Sequence, residues 1–374
     1  MDTAETIVVD IGSGYCKAGF STDKKPRSEF PSIVGNLRHK GSFIGRKDQD
    51  TYAGNQAMSK IGLLNIQYPI KYGFIANWND FTTLLRYTFE DELRVNYAEH
   101  PLILTESSRS DQRQREKLLQ VIFETFQVPS FYLGKQPIFS IYSSGQKTGI
   151  SVDIGYEMTQ IVPVVEGSIV SSAMTTQNFG GKTITDYFLK ALKERGCALS
   201  ELSANLVANE VKEKLGYVAL DFENEVKKNN GSHECDTSYQ TQDGDEFKIS
   251  DERYNCPELL FSPQINNLDH LSLQKLVYET VMKCESNVQN QLFDNIVLCG
   301  GSSLFKGLPE RFESELKGMV NKSTKINLVA PANRNYAAWM GAAAFASLPD
   351  FAELAIKSEE YRESGAQILT KKCQ

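Results

Sequence analysis

The sequence has no C-x-x-C pair, no H-x-x-x-H pair, no long apolar run and no surplus of basic residues, and each absence removes a class of function. Its seven cysteines, Cys16, Cys197, Cys235, Cys256, Cys284, Cys299 and Cys373, are odd in number and scattered. Such spacing builds neither a disulfide framework nor a zinc site and points to a reducing compartment. The histidines His39, His100, His233 and His270 stand apart and read as surface or packing residues. The longest apolar stretch, Tyr336 to Leu348, is broken by Gly341 and is too short for a bilayer core of ~30 Å. The acidic start, Met1 to Glu5, lacks the flank of a signal peptide. With 40 Lys plus Arg against 47 Asp plus Glu, the net charge of -7 argues against a nucleic-acid coat. The expectation is a cytoplasmic protein, with the nucleus open as an alternative and neither membrane nor nucleic acid as a partner.

What remains is 374 residues of ordinary globular composition, 41% hydrophobic, enough for two or three domains. A strand over Thr6 to Asp10 leads into the turn Gly12-Ser13-Gly14 and returns through Lys17 to Phe20. A second strand, Gly149 to Asp153, passes through Ile154-Gly155 and returns along Thr159 to Val165. Val-Asp-Ile-Gly therefore occurs twice, at Val9 to Gly12 and at Val152 to Gly155, each time in a hairpin. A duplicated unit accounts for this better than coincidence.

Between and after the hairpins the apolar period turns helical. Gln112 to Phe126 places Leu118, Val121, Ile122 and Phe126 on one face before Val128-Pro129. Thr183 to Arg195 opens on what reads as a capping box, Thr183 to Asp186, and stops at Gly196. A third helix, Leu206 to Val218, turns Val207, Val211, Leu215 and Val218 inward and leaves Lys212 and Glu213 off that stripe. Lys227 to Asp245 reads as an exposed loop or hairpin. Strands alternating with helices make an α/β protein.

Two glycine turns, each headed by an aspartate, suit phosphate and magnesium. Glycine lets amides approach phosphate oxygens, Ser13 and Lys17 add a donor and a charge, and Asp10 and Asp153 can hold the waters of Mg²⁺. A third turn, Gly300 to Ser303, follows the strand Ile296 to Cys299 and precedes a helix near Pro309, offering further amides to a nucleotide. Gly181-Lys182-Thr183 mimics the end of a P-loop, but Thr176 stands where its first glycine is needed.

At these residues the chain resembles actin and the actin-related proteins, from about Thr6 to Cys373. The matching stretches include Val9 to Phe20, Phe30 to Gly35, Asn77-Trp78, Glu92 to Val95, Phe123 to Phe126, Lys212 to Leu215, Tyr217 to Glu223, Met282 to Cys284 and Val297 to Gly301. The resemblance implies an actin-like ATPase fold, two duplicated α/β lobes with a nucleotide cleft between them. By that likeness residues 1-31, 69-143 and 336-374 form the first lobe's core and 32-68 its small insertion. Residues 144-180 and 268-335 form the second core, and 181-267 its insertion.

The implied cofactors are ATP or ADP with Mg²⁺ or Ca²⁺. The implied catalytic residues are Gln136, which orients the attacking water, with Asp10 and Asp153 organising the metal through water. Gly12, Ser13, Gly14, Tyr15, Lys17 and Gly155 match phosphate-binding positions. Gly181, Lys212, Glu213, Gly301, Leu304 and Phe305 match the surroundings of ribose and adenine.

The departures bear on activity. Tyr156, Glu157 and Gln160 replace an aspartate, a glycine and a water-contacting histidine of actin's second turn. A carboxylate at Glu157, 4 Å from a phosphate charge, would cost ~4 kcal/mol at an effective dielectric of ~20. Replacing the glycine also threatens a backbone that needs positive φ. Asn209, Asn335 and Tyr72 stand for an arginine, a lysine and a histidine. The assembly loop His39 to Thr51 keeps its length but carries Phe43 and Arg46 for methionines, and Asn266 and Asn267 make the plug Pro263 to His270 more polar.

These features predict a divergent actin-like cytoskeletal protein with weak homopolymerisation and slow hydrolysis, whose partners are actin-family or actin-binding proteins. The alternatives are a non-polymerising subunit of a multiprotein complex, of dynein-activator or chromatin-remodelling type, and more remotely a sugar-kinase-like phosphotransferase. Tyr142, Gly145, Ala338 to Leu348 and Phe351 are expected to leave an apolar groove for amphipathic helices, with the alanines of Tyr336 to Ser347 packing in the core.

Overall fold

The structure is a computed structural model that describes residues 4–38, 51–197, 199, 204–232, 235–241, 244 and 246–373. Most of the assembly loop from His39 onward, His233, and Asp245 at the end of the expected 227–245 loop lie outside the described residues. Two compact units divide the chain: Met1–Lys147 with Tyr336–Gln374, and Thr148–Asn335.

The first unit is built on a six-stranded sheet. Its order is Ile356–Lys357, Ser130–Lys135, Leu102–Glu106, Ile7–Ile11, Tyr15–Phe20 and Ser28–Pro31. Ile7–Ile11 is buried at every residue because helices cover both faces, and its alternation sorts side chains between two cores. Ile7, Val9 and Ile11 join Leu84, Leu118 and Phe126 on one face, whereas Val8 joins Phe139 and Trp339 on the other. On that second face the helix Ala337–Ala346 lies against Gln136–Tyr142 so closely that a Cβ at Gly341 would fall 1.7 Å from the Phe139 carbonyl. Ala337, Ala342 and Ala343 are buried there, so these alanines serve core packing as expected. A smaller sheet, Thr51–Ala53, Val34–Leu37 and Leu64–Gln67, carries the core residues Ile33, Tyr52, Ala57 and Leu64.

The second unit repeats this plan. Its sheet runs Ser168–Ile169, Thr159–Val165, Gly149–Ile154, Ile296–Cys299 and Leu328–Val329, with Thr175–Gln177 also pairing with Thr159–Val165. In both units the aspartate-bearing strand pairs antiparallel with its hairpin partner on one side and parallel with a later strand on the other. Helices Gly181–Glu194, Ala204–Leu215, Leu273–Met282 and Leu308–Met319 supply much of its core, including Ile184, Phe188, Val211, Val277 and Phe312.

Three sequence expectations are corrected here. The helix expected over Thr183 to Arg195 is Gly181–Glu194, and no capping box forms at Thr183. Its first amides are taken by main chain instead: Gly181 N–H donates to Gly155 O at 2.9 Å and Lys182 N–H to Tyr156 O at 2.7 Å. The third helix is Ala204–Leu215, ending before Gly216 rather than at Val218, and Lys212 points inward. The stretch from Lys227, expected to be an exposed loop or hairpin, instead begins inside the helix Phe222–Ser232, and the hairpin Thr237–Gln240 and Glu246–Ile249 follows it. By contrast Leu118, Val121, Ile122 and Phe126 are buried as their spacing requires. Among the described residues no helix is long and apolar enough to cross a membrane.

Candidate functional site

In the first unit, strand register assembles a polar group around Asp10. Val9 pairs with Leu104, so the next residues, Asp10 and Thr105, are neighbours at the strand ends. Thr105 Oγ1 donates to Asp10 Oδ1 at 2.6 Å, and Gln136 Nε2 donates to the same oxygen at 2.9 Å. Gln136 Nε2 also lies 3.3 Å from Thr105 Oγ1. Asp10 is buried, and its cross-strand partner Lys17 holds its ammonium 3.7 Å from Oδ2. The carboxylate is thus oriented through Oδ1, with Oδ2 towards the Lys17 ammonium. Sequence reasoning missed Thr105, which only the parallel register brings beside Asp10.

The turn after Asp10 is closed by Gly12 N–H donating to Tyr15 O at 3.0 Å. The second unit reproduces it: Gly155 N–H donates to Met158 O at 2.9 Å. Ile11 pairs with Cys16 and Ile154 with Thr159, so both loops have the same length and place their aspartates identically. The residue across from Asp153 is Gln160, a neutral amide where Asp10 faces Lys17. Glu157 is buried, and its backbone does not adopt positive φ. The concern that losing a glycine there would strain the turn is therefore corrected.

Three further segments meet the second turn. Gly300 has φ +85°, and a Cβ there would lie 2.2 Å from Asp153 Oδ1. Ser302 Oγ donates to Gly155 O at 2.9 Å, and a Cβ on Gly181 would lie 2.4 Å from that hydroxyl. Gly301 is open, with nothing within 4 Å of its would-be Cβ. Leu304 is 41% exposed, whereas Phe305 is buried and packs near Gly216.

Lys212 is 4% exposed, contrary to the expectation that it stands off the buried stripe. Its ammonium donates to Gly181 O at 3.2 Å, Thr185 Oγ1 at 2.9 Å and Asn209 Oδ1 at 2.8 Å. All three acceptors are neutral, and burial pushes the amine down to about 8. Asn209 ties this group together, since its Nδ2 donates to Glu213 Oε1 at 2.8 Å. The occupied amides of Gly181 and Lys182 also explain why the apparent P-loop end at Gly181-Lys182-Thr183 is not one.

The structure thus brings Asp10, Gly12, Ser13, Gly14, Tyr15, Lys17 and Gln136 together in the first unit. In the second it gathers Asp153, Gly155, Gly181, Lys212, Glu213, Gly301, Leu304 and Phe305. Within each unit the donor set has the chemistry that phosphate and hydrated divalent ions take: glycine-turn amides, an ammonium and a strand-end carboxylate. Among the described residues no three His, Cys, Asp or Glu side chains cluster as metal ligands, so such an ion would need water or phosphate to complete its shell. A family model described as Actin matches residues 1–374, and the chain belongs to the actin family.

Proposed function

We propose that the chain binds ATP or ADP with Mg²⁺ through the aspartate-headed glycine turns of its units. The observation that carries this reading is the duplicated hairpin, with equal loop length, the same glycine amide to main-chain bond and an aspartate at the same register. Lys17 and the turn amides suit phosphate, and Asp10 and Asp153 suit metal-bound water. Gly181, Lys212, Glu213, Gly301, Leu304 and Phe305 surround the nucleoside in this reading. When bound, Mg²⁺ would neutralise phosphate charge. The test is the nucleotide released from acid-denatured purified protein, with binding of MgATP measured after its removal.

Gln136 suits the orientation of water, because its amide nitrogen is committed to Asp10 and Thr105 and leaves Oε1 to accept. Hydrolysis is nevertheless slow in this proposal, because Gln160 and the buried Glu157 supply neither the histidine nor the glycine of actin's turn. An actin-like turnover rate that Gln136→Ala abolishes would sink this part.

The chain acts as a divergent actin-like cytoskeletal protein through assembly with actin-family or actin-binding proteins. Its own polymerisation is weak, because the plug turn Pro263–Asn266 exposes Ile265 at 53% beside the exposed amides Asn266 and Asn267. Burying one isoleucine contributes only about 1.5–3 kcal/mol. The same polar turn favours the second reading, a non-polymerising subunit of a larger complex. Sedimentation with MgATP separates them: pelleting at micromolar concentration indicates self-assembly, and a soluble protein recovered with a defined set of partners indicates the subunit.

A further inference from the structure

Arg334 is 7% exposed, yet among the described residues its guanidinium donates to neutral oxygens only. Its Nε donates to Ser303 O and Ser303 Oγ, each at 3.2 Å, and its Nη2 donates to Ser303 O at 2.7 Å. Nη1 donates to Pro331 O at 3.0 Å. Glu310 acts on it electrostatically without an ion-pair contact, and burial lowers its proton affinity. Buried arginines ordinarily sit against carboxylates, because desolvating the charge is costly. Here three of its four hydrogen bonds go to one serine.

That serine closes the turn nearest Asp153. Ser303 is fully buried, and its hydroxyl and amide both donate to Gly300 O, at 2.6 and 3.1 Å. Gly300 in turn lies against Asp153 Oδ1 and the Ile154 carbonyl, and Ser302 reaches the Gly155 carbonyl. The amides at the start of Gly301–Leu304 have no acceptor within their own short helix, so their direction depends on what holds its base. Three guanidinium contacts to Ser303 hold it.

We propose that Arg334 is a positioning residue for the nucleotide-binding turn Gly300 to Ser303, clamping Ser303 so that Gly300 stays against Asp153 and the Gly301 and Ser302 amides stay aimed at the ligand. Nucleotide contact is not part of its role. The inference rests on the nucleotide reading above, and its test separates the two.

Hydrogen exchange by mass spectrometry on the full chain follows a peptide covering Gly300 to Phe305, with one covering Thr159–Val165 as internal reference. MgATP affinity is measured on the same proteins. Arg334→Gln should speed exchange of the turn about tenfold with the reference unchanged, and weaken MgATP about tenfold. Arg334→Lys should fall between, because an ammonium reaches the Ser303 carbonyl but cannot fork. Ser303→Ala, which removes only the hydroxyl, supplies a milder variant if Arg334→Gln does not fold. Unchanged exchange of the turn, or equal acceleration in both peptides, overturns the clamp. A loosened turn with undiminished MgATP affinity overturns the positioning role. If wild-type protein binds no adenine nucleotide while the turn loosens selectively, the nucleotide reading fails, the assignment of the turn to a nucleotide falls with it, and Arg334 is left as a clamp of local structure.

Discussion

Replacing Gly300 by alanine tests the packing that joins the third glycine turn to Asp153. Two costs add. An L-residue at φ +85° pays for left-handed backbone, about 1–2 kcal/mol. The new methyl would also sit 2.2 Å from Asp153 Oδ1 and 2.4 Å from the Ile154 carbonyl, an overpacking worth about 1–3 kcal/mol. The sum is about 3 kcal/mol, or roughly 6–12 °C in the unfolding midpoint of a body this size. Gly301→Ala is the matched control, because a Cβ there meets nothing within 4 Å and its φ is not positive. It should stay within about 0.5 kcal/mol of wild type. Asp153→Ala in the Gly300→Ala background removes one of the two contacts and should recover about 1 kcal/mol as a favourable coupling. Thermal scans of these four proteins and of Asp153→Ala alone, which closes the cycle, supply the comparison. Equal losses at Gly300 and Gly301, or a coupling of zero, would refute the claim that the turn is pressed against Asp153.

Lys212 supplies a pH test. Its folded value of about 8 lies below the ordinary 10.5, so between these the unfolded chain binds more protons and stability rises with pH. The rise attributable to this amine is about 3 kcal/mol, complete above pH ~10.5 and lost as pH falls through ~8. The difference in unfolding free energy between wild type and Lys212→Met should track that window, and a flat difference would contradict it. In the first unit, Trp339 is fully buried and its indole N–H donates to the Val8 carbonyl at 2.9 Å. Trp339→Phe removes that hydrogen bond and leaves a void behind it, a cost of about 2–3 kcal/mol. Urea titration followed by the remaining Trp78 should show a lower midpoint, and an unshifted one would contradict a stabilising role for the indole.

Much of this arrangement is legible in the sequence, and the failures have definite causes. Asp10, Gly12, Asp153 and Gly155 are visible because a hairpin and its turn are local, and because the motif occurs twice. Thr105 and Arg334 are invisible locally: one reaches Asp10 through a parallel pairing across about ninety residues, the other reaches Ser303 from beyond the next strand. Lys212 misleads because charge normally marks a solvated face, whereas three neutral acceptors from Gly181, Thr185 and Asn209 make burial tolerable. The start of Gly181–Glu194 misleads for a related reason. The Thr183 to Asp186 pattern is a sound capping signal, but carbonyls of Gly155 and Tyr156 satisfy the amides two residues earlier. Tertiary hydrogen bonding overrides the local cap in that helix.

In the proposed function the duplicated turns bind an adenine nucleotide and its metal. Equilibrium binding of MgATP to wild type, Asp10→Asn and Asp153→Asn tests it most directly, since the amide keeps the carboxylate's size and the hydrogen bond from Thr105 at Asp10. Wild type should bind stoichiometrically and each variant should lose at least about tenfold in affinity, more with Mg²⁺ present than without it. Absence of binding by wild type, or variants that bind MgATP as tightly as it does, would contradict the claim.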